Sequence, residues 1–279
     1  MGIICPVSDP SPMPQGGNHS ESNVSSPREL KSVEIVEDRT QGSLAHEGYL
    51  RIERLTVRNL YADGSHSEPY PCDVLRRPGS DAVAAVLFER TAAGTIRVLL
   101  RESIRVPIYL RRTRDLVHPD PQEFDGVIEL VAGMVEASDP PGQAGLALRA
   151  QAETLEEAGL DAPLHAFCEL GAGSFASPGA GDEKVLFQAG EVVLDQADAA
   201  AATGDGSIME EWSRILFMEL GEAIRACREG QIPDLKTEVG LLRLASHLGY
   251  IPELGLYAKD LPEDLRGRYQ QLGLGEDRS

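Results

Sequence analysis

Glu153, Glu156 and Glu157 stand at i, i+3 and i+4, a spacing that gathers three carboxylates on one face of a helix. Like charges so close repel one another. A hard divalent cation relieves the repulsion, because it takes oxygen ligands and is typically held by carboxylates together with substrate phosphates. The same spacing also suits a solvated acidic helix face, an ordinary feature of an acidic chain. This chain is acidic: 26 Lys and Arg against 45 Asp and Glu give 26 − 45 = −19. That balance excludes generic nucleic-acid binding, which draws its affinity from Lys and Arg at phosphates, and the densest basic cluster is only Arg111-Arg112-Thr113-Arg114. Cys5, Cys72, Cys168 and Cys227 share no short spacing. They outline neither a thiolate metal site nor a disulfide framework, and read as the reduced thiols of a cytoplasmic protein. His118, His165 and His247 have no metal-ligand spacing either. No apolar stretch approaches the ~20 residues of a bilayer span, the longest clean run being Ala82 to Phe88.

The acidic cluster falls in a segment of helical period, 145–158, where Leu148, Ala152 and Leu155 recur at i, i+4 and i+7 and Gly159 supplies a C-terminal stop. On that pattern the leucines face inward and the glutamates outward. Further helices are expected over 219–229, stopped by Gly230, and over 235–248, with Val239, Leu242, Leu244 and Ala245 inward. Period-two segments at 50–57, 72–75, 82–89 and 96–100 are separated by turn residues such as Pro78-Gly79-Ser80 and Ala93-Gly94 and read as hairpins of a mixed sheet. Lys184 to Val193 reads as a buried strand. Residues 1–45 are rich in Ser, Pro, Gly and Asn and are expected to be disordered.

Several motifs then occur in one order. Glu129-Leu130-Val131-Ala132-Gly133, a loop, and Ala152-Glu153-Thr154-Leu155-Glu156-Glu157-Ala158-Gly159-Leu160 resemble the signature of the Nudix hydrolases: a glycine-led loop, then a helix carrying Arg-Glu-apolar-x-Glu-Glu-x-Gly-apolar. That family hydrolyses nucleoside diphosphates linked to another group. Arg101-Glu102-Ser103-Ile104-Arg105, Ser174-Phe175-Ala176-Ser177-Pro178-Gly179 with Glu183 four residues on, and Gly230-Gln231-Ile232-Pro233-Asp234-Leu235-Lys236-Thr237 resemble its ADP-ribose pyrophosphatase branch. The resemblance covers roughly residues 50–248. Two positions depart from the pattern. Ala152 stands where the family has the arginine that orients a catalytic glutamate, with Arg149 one turn earlier. Asp139 stands where the family has a glutamate, and about five extra residues follow it.

The resemblance implies an α/β (α+β) fold, a Nudix-type α/β/α sandwich with a mixed β-sheet. It would comprise a small N-terminal β subdomain for dimerisation over 46–76, the hydrolase domain over 77–250 and a C-terminal tail over 251–279. It implies Mg²⁺-dependent cleavage of ADP-ribose into AMP and ribose 5-phosphate by a homodimer, with Mn²⁺ as a substitute ion. Glu153, Glu157 and the Ala132 carbonyl would bind the ion, and Glu156 would share a second. The water-activating base would lie on the loop Gly204 to Trp212, with Glu211 ahead of Glu210, and Glu183 would bind metal or position the water. Arg105 would hold a substrate phosphate, and Arg77 would reach across from a second subunit. On the residues alone, Glu210 and Glu211 could equally form an acidic turn, Arg76 and Arg77 surface charges, and Trp212 a packing anchor. The alternatives are a UDP-sugar diphosphatase, which the lengthened loop also suits, and a non-hydrolysing nucleotide sensor, which Ala152 favours.

Overall fold

The computed structural model describes residues 30–38, 49–197 and 213–271. The chain begins with strands β1 (Leu30–Asp38), β2 (Arg51–Tyr61), β3 (Tyr70–Arg76), β4 (Ala82–Arg90) and β5 (Ile96–Ser103), then a single helical turn α1 (Val106–Tyr109). Next come β6 (Val127–Glu129), β7 (Val131–Met134), the long helix α2 (Gln143–Ala158), β8 (Phe167–Glu169), β9 (Ser174–Phe175) and β10 (Lys184–Glu191). The last elements are β11 (Arg214–Glu219), α3 (Leu220–Arg228), α4 (Leu235–His247), β12 (Tyr250–Ile251), β13 (Leu256–Tyr257) and α5 (Glu263–Gln271).

The apolar run in β4 sits at the middle of the main sheet, whose path is β11-β5-β4-β10-β8. A strand buried on both faces can be apolar at every position, and β4 shows why. Val83, Ala85 and Leu87 pack with Ala150 and Ala158 of α2, whereas Ala84, Val86 and Phe88 pack with Ile224 of α3 and with Leu241 and Leu244 of α4. β10 runs parallel to β4, while β5 and β7 run antiparallel to it. The result is a mixed sheet between α2 on one face and α3 with α4 on the other, the α/β/α sandwich expected from the sequence.

Gly159 ends α2 in the left-handed conformation, its amide reaching the carbonyls of Leu155 and Thr154. The expected orientation of α2 is reversed. Leu148 and Leu155 are 38% and 49% exposed, and the buried face is Gly145, Ala150, Thr154, Glu157 and Ala158. Small residues let the helix approach the sheet closely, and a carboxylate can be buried once it is paired and hydrogen-bonded. On α4, Leu241 takes the inward place expected of its neighbour Leu242, which is 37% exposed.

Two terminal expectations are corrected. Residues 30–38, expected to be disordered, form a strand because the β2 ladder supplies their hydrogen bonds, with Val33 opposite Asn59 and Ile35 opposite Val57. β1, β2 and β3 make a separate three-stranded sheet. The expected tail after residue 250 carries a hairpin and α5 instead. It is anchored by buried Tyr250, Ala258 and Leu261, with the Tyr250 and Tyr257 rings 5.3 Å apart.

α4 rests on the sheet through Gly240, where an added Cβ would stand 2.5 Å from Leu130 Cδ1 and 3.1 Å from Val86 Cγ2. Gly240→Leu therefore overpacks this contact and should lower stability by about 2 kcal/mol. A urea midpoint equal to that of the parent chain would contradict the close approach.

Candidate active site

Between Val127 and Met134 the chain changes partners. β6 pairs with β5, with Arg101 opposite Glu129, and β7 pairs with β4, with Ala132 opposite Ala84. At the changeover the backbone is held by side chains. The Leu130 amide donates to Thr237 Oγ1 at 2.9 Å, and the Ala132 amide donates to Glu157 Oε2 at 3.0 Å. Most of the buried polar side chains lie around this stretch: Arg101, Glu129, Thr154, Glu157 and Thr237.

Two ionic clusters flank it. Arg101 Nη1 donates to Glu157 Oε1 at 2.5 Å, both side chains being less than a tenth exposed. On the other side, Glu129 accepts from Arg105 Nε at 2.5 Å and from Lys236 Nζ. Lys236 also reaches Asp234, which caps α4 through the Thr237 amide and accepts from the Thr237 hydroxyl at 2.6 Å. Burial works against the Lys236 ammonium, but Glu129 and Asp234 outweigh it and hold its pKa above the ordinary value. Arg101, Lys236 and Asp234 were not among the expected site residues. Arg101 directly follows the apolar run Val98-Leu99-Leu100 of β5 and was the available signal, since a charge buried there demands a carboxylate partner.

Glu153 lies against Gly133, whose absent side chain makes room for the carboxylate: a Cβ built there would collide with Glu153 Cδ and both of its oxygens. Gly133 and Ala132 are thus the backbone seat of Glu153 and Glu157. Glu156, one residue before Glu157, bonds to no other side chain among the described residues. The hairpin-like loop before α2 is tied to the same helix. Arg149 grips Asp139 with a two-pronged contact at 2.8 and 3.1 Å, and reaches Glu136 at 3.1 Å. That grip holds the Asp139 carboxyl below the usual carboxylate range.

Glu183 and Arg77 form a second group beside β7. Arg77 Nη2 donates to Glu183 Oε1 at 2.8 Å within the same chain. Tyr49 connects this pair to the first group, its hydroxyl lying 2.8 Å from Met134 Sδ and 3.5 Å from Arg77 Nη1. The Ser177–Gly181 turn is fastened to β3, the Leu75 amide donating to Ala180 O at 2.7 Å and Arg76 pairing with Asp182. Arg243 secures its approach through Leu170 O, Ala172 O and Ser174 Oγ. Glu210, Glu211 and Trp212 lie outside the described residues. Burial pushes the Cys227 thiol up to about 12 and raises that of Cys168 as well, so neither is a thiolate nucleophile at neutral pH.

No ready cage of three Asp, Glu, His or Cys side chains exists among the described residues. The donor set nevertheless fits a hard cation. Glu153 fills the space over Gly133, Glu157 sits at the Ala132 amide, and both belong to one helix face above one strand.

No family model matches the chain. It is 26% identical over 213 residues to the ADP-ribose pyrophosphatase of Haemophilus influenzae, covering 76% of this chain and 85% of that protein. The crystal structure of an ADP compounds hydrolase superposes with a TM-score of 0.54 at 13% identity, over 80% of this chain and 97% of that one. The fold is shared, and the resemblance read from the motifs is borne out.

Gly133→Ala separates seat from scaffold. The backbone there accommodates alanine, so the melting temperature should change little. The displaced Glu153 should weaken Mg²⁺ binding by roughly tenfold or more. Undiminished binding would remove Glu153 from the ion site.

Proposed function

We infer that this chain is a Nudix hydrolase of the ADP-ribose pyrophosphatase branch, cleaving ADP-ribose into AMP and ribose 5-phosphate with Mg²⁺, Mn²⁺ serving in its place. The observation that carries the reading is the seating of Glu153 on Gly133 and Glu157 on the Ala132 amide at the start of the strand-loop-helix unit. The named activity of the Haemophilus influenzae relative supports the same substrate.

Cleaving a pyrophosphate requires charge neutralisation on phosphoryl oxygens and a water aligned with the phosphorus. Glu153, Glu157 and the Ala132 carbonyl would hold the ion and Glu156 would share a second; bound there, it would polarise the pyrophosphate oxygens as a Lewis acid. The chain's own groups do the rest. Arg101 and the Ala132 amide fix the Glu157 carboxylate in one orientation. Arg105 is half-exposed and bonds Glu129 through Nε alone, which leaves its two Nη groups to donate to a phosphate. Glu211, with Glu210 as second choice, would take the proton from the attacking water. Glu183, steadied by Arg77, would position that water.

A homodimer is proposed with this reading. The three-stranded sheet exposes Val36, Tyr70 and Leu75, with Tyr70 and Leu75 on opposite faces of β3, and Tyr49 and Leu50 just before β2 are exposed too, apolar side chains that a second copy would cover. A cytoplasmic location is supported by Cys72, Cys168 and Cys227, which form no disulfides. No described helix is long and apolar enough to cross a membrane.

The test is hydrolysis of ADP-ribose, UDP-glucose, GDP-mannose and NADH with Mg²⁺ by the parent chain, Glu153→Gln and Glu156→Gln. Glu153→Gln is preferable to a change at Glu157, which would also disturb the buried Arg101 pair. ADP-ribose should be cleaved fastest, and Glu153→Gln should reduce its kcat by about two orders of magnitude or more, with Glu156→Gln less affected. Faster cleavage of UDP-glucose would keep the chemistry and change the substrate. Binding without cleavage of any compound would make the chain a sensor.

A further inference from the structure

We propose that Arg149 is the positioning residue for Glu153, doing from one turn earlier on α2, with Asp139 and Glu136, what Ala152 cannot. The inference rests on the hydrolase reading above and concerns how this chain arranges its own carboxylates.

Arg149, Asp139 and Glu153 are all close to nine-tenths buried at the side chain. The Arg149 fork spends Nε and Nη2 on Asp139, which fixes the plane of the guanidinium. Its remaining nitrogen, Nη1, lies 3.1 Å from Glu136 Oε1 and 3.7 Å from Glu153 Oε1. Asp139 is in turn anchored, accepting from the Glu136 amide at 2.8 Å. Glu153 is therefore bounded on one side by the Gly133 backbone and on another by a cation that cannot rotate away. Ala152, with only a methyl group, offers no such contact.

The loop explains why the cation sits at 149. Gly145, in the first turn of α2, lies so close to the Pro140 carbonyl that a Cβ could not be accommodated. The extra residues after Asp139 thus fold back onto the start of the helix and bring Asp139 within reach of position 149. Positions 149 and 152 are i and i+3, on the same helix face. Arg149 is also i to Glu153 at i+4, and the folded-back loop supplies the second half of the grip at 149.

The test uses the full chain as parent, Arg149→Met, Arg149→Lys, Asp139→Asn and the double variant Arg149→Met/Ala152→Arg. Mn²⁺ affinity is measured from the paramagnetic resonance of free ion, beside kcat and KM for ADP-ribose and the melting temperature. The expected result is Mn²⁺ binding weakened roughly tenfold or more in Arg149→Met, a kcat lowered about 10- to 100-fold and a nearly constant KM. Asp139→Asn should move the same way by less, and Ala152→Arg should restore part of both losses. Charge alone predicts the opposite sign, since deleting a cation beside carboxylates strengthens cation binding. Tighter or unchanged Mn²⁺ binding in Arg149→Met, with only the melting temperature lowered, overturns the proposal. Should Arg149→Met fail to fold, Arg149→Lys keeps the charge and loses the fork, and unchanged Mn²⁺ affinity and kcat there overturn it equally. A parent chain that binds no Mn²⁺ and cleaves nothing removes the hydrolase reading itself. A parent that binds and cleaves, with variants that match it, removes only the role of Arg149.

Discussion

The segment from Glu129 to Gly133 has to leave one β-ladder and join another, and a buried amide that loses its ladder partner must find a different acceptor. Thr237 and Glu157 are those acceptors. Each comes from a different face of the sandwich, Thr237 from α4 and Glu157 from α2. The changeover therefore sets where both helices sit. Glu157 cannot be buried without Arg101, and Asp234 aligns the Thr237 hydroxyl. A buried ion pair adds little net stability once desolvation is counted, and removing one member is costly. Here the pair fixes a single placement of α2 above β7, and the candidate site is a by-product of that placement.

A chain of net charge −19 nevertheless gives most of its site carboxylates an individual arginine. Glu157 has Arg101, Glu129 has Arg105, Glu183 has Arg77, and Glu153 has Arg149 nearby. A guanidinium holds a carboxylate at a defined angle because its donors form a rigid plane. Spread through the site, these arginines orient acids that would otherwise repel one another and splay. Glu156 alone among the described members of the acidic triad lacks such a holder, which suits a residue that shares an ion more than one that defines its position.

The family resemblance and the departures from it meet at the loop before α2. Ala152 and the lengthened loop look like two separate losses in the sequence. In the folded chain the two meet at one contact, Asp139 of that loop lying in the grip of Arg149. An enzymatic role is therefore compatible with the substitution that most favoured a silent binding module.

The residues by themselves determined the layered architecture. β4 could be recognised from an unbroken apolar run, α2 from its period and Gly159, and the carboxylate set from spacing that survives any packing. These are local properties, set by backbone period and by the few conformations open to glycine. Sequence could not decide which face of α2 turns inward. Leucines outnumber buried acids in any hydrophobic count, and only the arrival of Arg101 from β5, 56 residues away, makes burial of Glu157 permissible. The same holds for β1, whose Ser- and Pro-rich surroundings concealed a strand that exists because β2 offers it a ladder. The pairings of Arg77 with Glu183 and of Arg105 with Glu129 also joined residues far apart in the chain. Tertiary structure decided these points, because the free energy of a buried charge depends on which opposite charge the fold brings to it.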